Sequence, residues 1–145
     1  MKKIGLIGMC LMISAASLFA KDKVTKDASV LPANSKEFLN RHFHGVQISH
    51  IKVEEGLLKT DSYDVILTNG VNVEFTGSGN WKEVEGKNIA VPAEIVPATI
   101  RKYVQTNYPG KIIVSIEKDR REYDIKLDNG IDLDFDLNGN FKKID

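Results

Sequence analysis

Apolar and polar positions alternate along two separate stretches of the chain. Tyr63, Val65 and Leu67 alternate with Asp64, Ile66 and Thr68, and Tyr123, Ile125 and Leu127 with Asp124, Lys126 and Asp128. Period-two alternation predicts strands with one face buried and one in water. Asn69-Gly70 and Asn129-Gly130 follow directly. Each predicts a hairpin through a type I′ turn, which needs positive φ at both central residues. The next strands put Val71, Val73 and Phe75, and Ile131, Leu133, Phe135 and Leu137, on one face. Gly79-Asn80 and Gly139-Asn140 then predict a turn into a last short strand. Ahead of each strand set lies a helical pattern. The first helix starts near Asn34 as N-cap, with Glu37 completing a capping box, and ends by His44-Gly45. The second runs from about Ala93 to Asn107 on Val96, Ile100, Tyr103 and Val104, with Pro97 in its first turn or dividing a short turn from the main helix. Tyr108-Pro109-Gly110 stops it.

The two stretches are one unit written twice. Tyr63 to Phe75 aligns with Tyr123 to Phe135 at an offset of sixty, as do Gly79-Asn80-Trp81-Lys82 with Gly139-Asn140-Phe141-Lys142 and Leu31-Pro32-Ala33 with Val91-Pro92-Ala93. Between these anchors the offset moves to 65, so the second helix is expected to be about five residues longer. The fold class is α+β: a helix and about four antiparallel strands per unit, with one sheet face under the helices. The predicted organisation is a signal peptide at 1–20, a linker at 21–30, and repeats at 31–86 and 87–145.

Composition bears on where the protein goes. Lys2-Lys3, an uncharged run from Ile4 to Phe19 and Ala20 before Lys21-Asp22-Lys23 have the parts of a secretory signal peptide. That run is short for a spanning helix. The expected location is periplasmic or secreted, with no membrane span once the signal is removed. The lone cysteine, Cys10, lies in that run behind Met9 and reads as signal core rather than a lipid-attachment site. The mature chain has no disulfide to rely on, so its core must hold it. Without Lys2 and Lys3 the chain carries 18 basic and 20 acidic side chains. This lacks the basic excess that nucleic-acid binding requires.

The order of these motifs carries a family resemblance: a helix, an aromatic-x-Gly stop, Tyr-Asp-x-x-Leu-x-Asn-Gly, an apolar-acidic-Phe step, then Gly-Asn-Trp/Phe-Lys. Nearly all of residues 30–145 resembles the PepSY-like family of small exported proteins, also described as beta-lactamase-inhibitor-like. The resemblance implies two tandem modules forming one continuous curved sheet with helices on one side, and a protein partner bound through the exposed sheet face.

Asp134-x-Asp136-x-Asn138-Gly139-Asn140, with Asp145 at the twelfth place, has the spacing of an EF-hand calcium loop. Its context is a strand and hairpin rather than two helices, so calcium binding there is the alternative and no cofactor is expected. Asp128, Asp132, Asp134 and Asp136 are expected to form a row on the solvated face, as a solubilising surface or as a patch for a basic partner, concentrated in the second half. His42 and His44 diverge on a helix end and do not suit a metal. Trp81 and Phe141 are expected to close the two units by aromatic packing, with an exposed anchor as the other reading. Ile66 falls on the solvated face. The residues expected to meet a partner are Asp132, Asp134, Asp136, Glu74, Ile66 and Trp81. The partner is expected to be a protein of the cell envelope. No nucleophile–base set or phosphate loop can be named, so the chain is read as a binding protein, not an enzyme.

Overall fold

The structure is a computed structural model describing residues 22–145. The signal-peptide expectation at 1–20 lies outside those residues. Nine strands form one antiparallel sheet in strict sequence order: β1 (Lys23–Thr25), β2 (Ile48–Glu55), β3 (Thr60–Leu67), β4 (Asn72–Thr76), β5 (Trp81–Glu85), β6 (Ile113–Lys118), β7 (Glu122–Leu127), β8 (Asp132–Asp136) and β9 (Phe141–Ile144). Helix α1 (Ala33–His42) lies between β1 and β2, and α2 (Ala98–Asn107) between β5 and β6. The expected linker is therefore partly structured. Residues 23–25 pair with Val53, Lys52 and Ile51 as an edge strand too short to leave an alternation in the sequence.

One hydrophobic cluster joins both halves. Ile51, Val65, Val73, Val84, Ile116, Ile125 and Leu133 form the sheet side, and Leu39, Phe43, Ile100 and Val104 come from the helices. Strands β5 and β6 pair through Glu83–Glu117, Val84–Ile116 and Glu85–Ser115, making the sheet continuous across the middle of the chain. Both halves use the same devices. Bulges fall at Ile48/His50 and Ile113/Ser115, and again at Glu74/Phe75 and Asp134/Phe135.

Three local expectations need correction. Helix α1 begins at Ala33 behind Pro32, and no side chain caps it. The Asn34 amide instead donates to Ser78 O and Asn80 Oδ1, tying the helix start to the β4–β5 turn, while Glu37 pairs with Arg41. The two helices are equally long. The additional residues of the second half form a short 3-10 turn, Ala93–Ile95, which Pro97 separates from α2 because proline cannot continue a helix behind it. The Asn-Gly turns are not type I′. Gly70 and Gly130 have φ of 91° and 86°, but Asn69 and Asn129 do not have positive φ. Leu67 N bonds Val71 O and Gly70 N bonds Leu67 O, with the same pattern at Leu127, Gly130 and Ile131. These are three-residue turns with the glycine as a bulge.

The hairpin ends lock onto the helices. Ser35 is fully buried and its Oγ donates to Gly79 O at 2.8 Å. Phe38 sits edge-on to Phe75 at 5.6 Å and stacks on Trp81 at 5.9 Å. Tyr103 repeats the arrangement with Phe135 at 5.3 Å and Phe141 at 4.8 Å. The aromatic packing expected to close each unit is present in both halves.

Candidate functional site

Residues paired across an antiparallel ladder point to the same face. The registers therefore define a single line across the helix-free face: Lys52, Asp64, Glu74, Glu83, Glu117, Asp124, Asp134, Lys143. Six carboxylates occupy six consecutive strands, with a lysine at each end. Neighbours along the line face each other directly, where Cβ atoms stand about 4.5–5.5 Å apart and like charges repel. The adjoining line is mixed: His50, Ile66, Asn72, Glu85, Ser115, Lys126, Asp132.

The acids respond as packed like charges should. Burial first, then Glu117, Glu74 and Glu85, pushes Glu83 up from 4.5 to about 7. Burial, then Asp134 and Asp132, raises Asp124 to about 6. Asp64 is raised by burial and by Glu74, and Asp134 by burial and by Asp145. Partial neutralisation comes from Lys82 on Glu74 at 3.6 Å, and from Lys143 on Asp134 at 3.6 Å and on Asp145 at 2.8 Å. Such a face offers closely spaced negative charge to cations. Beside the first half it opens into a cleft of about 820 Å³, lined by Glu54, Asp61, Glu74 and Trp81 and by Lys118 and Arg120 of the second half.

Asp134 and Glu74 lie in the carboxylate line. Asp132 sits one rung away, half-buried, its Oδ1 without a partner. Asp136 is committed to its own turn: Oδ1 accepts from Asn138 N and Asn140 N, and Oδ2 from Asn140 Nδ2. That explains why its pKa is lowered. Three donors already use most of its acceptor capacity, which counts against Asp136 in the EF-hand-like reading. Asn138 contributes its backbone to the same turn. Ile66 is on the open face, pairing His50 and Asn72, whereas Trp81 stacks on α1. The two do not form one patch. Acidity is not concentrated in the second half, since Asp64, Glu74 and Glu83 supply half of the line. Glu83 and Glu117 meet only through the β5–β6 pairing, whereas Asp64 and Asp124 already stand on the polar side of the alternation. Their signal was an acidic residue beside each central apolar position, as in Glu83-Val84 and Ile116-Glu117. Of the histidines, His42 bonds Glu94 through Nδ1 at 3.0 Å.

The family described as "Putative beta-lactamase-inhibitor-like, PepSY-like" matches residues 61–143, from β3 into β9 and so across both halves. Among solved structures, a putative periplasmic protein of unknown function from Bacteroides vulgatus is 40% identical, with a TM-score of 0.81 over 86% of this chain and 99% of that one. A protein from Bacteroides thetaiotaomicron, described as a putative calcium-regulated periplasmic protein, is 42% identical, with a TM-score of 0.79 over 86% and 96%. A third, another putative periplasmic protein from Bacteroides vulgatus, is 40% identical, with a TM-score of 0.78 over 86% and 97%. No curated protein matches the chain. All three structures are described as periplasmic, one of the two locations expected from the sequence (periplasmic or secreted), and among the described residues no helix is long and apolar enough to cross a membrane.

Proposed function

We propose that this chain, which belongs to the PepSY-like, beta-lactamase-inhibitor-like family, is an exported, non-enzymatic binding protein that engages a basic protein of the cell envelope through its open sheet face. The observation that carries this reading is the unbroken line of six carboxylates across β3 to β8. Like charges set directly opposite one another cost stability. A basic surface laid on the line relieves that repulsion, so part of the strain in the free protein becomes affinity in the complex. Two modules, 31–86 and 87–145, joined edge to edge at β5 and β6, give the line its length. An inhibitor-like role is the form of binding the family description suggests.

The alternative is calcium or small-ligand binding by the strand-turn at 134–145. One relative is described as calcium-regulated, but the use of Asp136 within its turn counts against that particular set of ligands.

The test is capture from an envelope fraction of the protein's own host, comparing the natural chain with a Glu83→Gln/Glu117→Gln variant. A basic protein held by the natural chain, released by salt and lost from the variant, is the expected outcome. An identical catch from both would refute the role of the acidic face.

A further inference from the structure

The sharpest convergence of charge lies at the β8 end of the carboxylate line. Asp124 and Asp134 are direct cross-strand partners, on β7 and β8. Asp145 follows β9, and its N–H donates to Asp132 O at 3.0 Å, which aligns it beside β8. One carboxylate oxygen from each of Asp124, Asp134 and Asp145 lies within 4.8 Å of the other two. The side chain of Asp134 is only 3% exposed, and its Oδ1 is buried without any hydrogen-bond partner. A buried, unpartnered carboxylate oxygen carries a large desolvation cost. Here it belongs to the central member of the three acids.

We propose that Asp124, Asp134 and Asp145 form a binding site for one hard divalent cation, calcium in preference to magnesium. All three donors are carboxylate oxygens, which suit calcium, magnesium or manganese rather than softer metals. Calcium binds oxygen at about 2.3–2.6 Å in flexible geometry. Magnesium, at about 2.0–2.1 Å, demands near-ideal octahedral geometry. Calcium's shell of six to eight oxygens accepts three carboxylates drawn from separate strands, whereas magnesium is usually held by only one or two. Three carboxylates supply only part of the six to eight oxygens calcium takes, so water completes the shell and affinity falls in the weak, extracellular range. Lys143 lies against the site, on Asp145 Oδ1 and Asp134 Oδ2, and offsets one of its three negative charges. It leaves Asp134 Oδ1 unpaired. At the sixty-residue offset the corresponding residues are Asp64, Glu74 and Glu85, and among the described residues only the Asp124 triad converges in this way.

This site shares Asp124 and Asp134 with the carboxylate line, but it survives failure of the protein-partner reading, because calcium titration needs no partner and neither Glu83 nor Glu117 belongs to the site. It also differs from the EF-hand-like set in excluding Asp136 and Asn138. The experiment is calorimetric titration of the exported, processed protein with calcium chloride, then magnesium chloride, at pH 7.5. One calcium per chain is expected, with Kd about 10⁻⁴–10⁻³ M, as for extracellular calcium modules, and magnesium at least about tenfold weaker. Asp134→Asn should weaken calcium at least about tenfold. Asp145→Asn, at an exposed residue that the fold does not need, should also weaken it. Asn138→Ala should leave it unchanged. Absence of saturable binding at about 10 mM calcium, well above the weak end of that range, would overturn the site. Natural affinity in both Asp134→Asn and Asp145→Asn, loss of binding in Asn138→Ala, or a preference for magnesium would also overturn it.

Discussion

Replacing Glu83 by glutamine should stabilise the protein, and only where Glu83 would be ionised. Glu83 sits at the middle of the line, half-buried, with Glu74 opposite on β4 and Glu117 opposite on β6. Its carboxyl rises from 4.5 to about 7, chiefly through burial. A native value above the unfolded one means that the folded state holds the proton more tightly, so stability falls as pH rises through that window. At 1.36 kcal/mol per pH unit the full difference is about 3.4 kcal/mol. Solvent screening of a half-exposed group reduces this to about 1–2 kcal/mol. Glutamine keeps the shape and removes the charge. The gain of Glu83→Gln over the natural chain should therefore be about 1–2 kcal/mol larger at pH 8.5 than at pH 4.5, or about 4–8 °C in Tm for a domain of this size. Calorimetric melting of both proteins at the two pH values measures it. An equal difference at both pH values would mean that neither burial nor the neighbouring acids raises Glu83, and the strain argument would fail.

Other expectations concern how the helices are fastened. Phe38→Ala removes the edge contact to Phe75 and the stack on Trp81, and should cost about 2–3 kcal/mol in urea unfolding, somewhat below a fully buried aromatic truncation. Gly139→Ala meets Thr99 at a residue with φ of 84°, and should cost about 2 kcal/mol or more by the same assay. Ser35→Ala deletes the buried donor to Gly79 O and should cost about 1–2 kcal/mol, with hydrogen exchange rising first at the β4–β5 turn.

Much of this architecture was legible because its causes are local. Alternation at Tyr63 to Leu67 and at Tyr123 to Leu127 reflects one buried face, and Asn-Gly and Gly-Asn mark the turns whatever turn type they adopt. The turn type itself was not legible, because a type I turn with a glycine bulge and a type I′ turn both accept Asn-Gly. The cap at Asn34 was misread for a different reason. Its amide finds partners in Ser78 and Asn80, more than forty residues away, and no local rule carries that contact. The candidate site divides the same way. Asp132, Asp134 and Glu74 could be placed on the solvated face from parity alone. Glu83 and Glu117 become neighbours only when β5 pairs with β6 across an intervening helix. Asp145 joins Asp134 only when β9 returns along β8. Asp136 matched a calcium-loop spacing because hairpin turns and calcium loops both favour acidic residues and glycine, and only its hydrogen bonds separate the two uses.

The claim that the helix-free face does the binding can be tested with photo-crosslinking in the native host. A photoreactive residue is placed either at Lys126, exposed on the open face, or at Lys102, exposed on α2. Specific crosslinks to one envelope protein from position 126, with none from 102, are the predicted result. Crosslinks from 102 alone, or the same adduct from both, would contradict it.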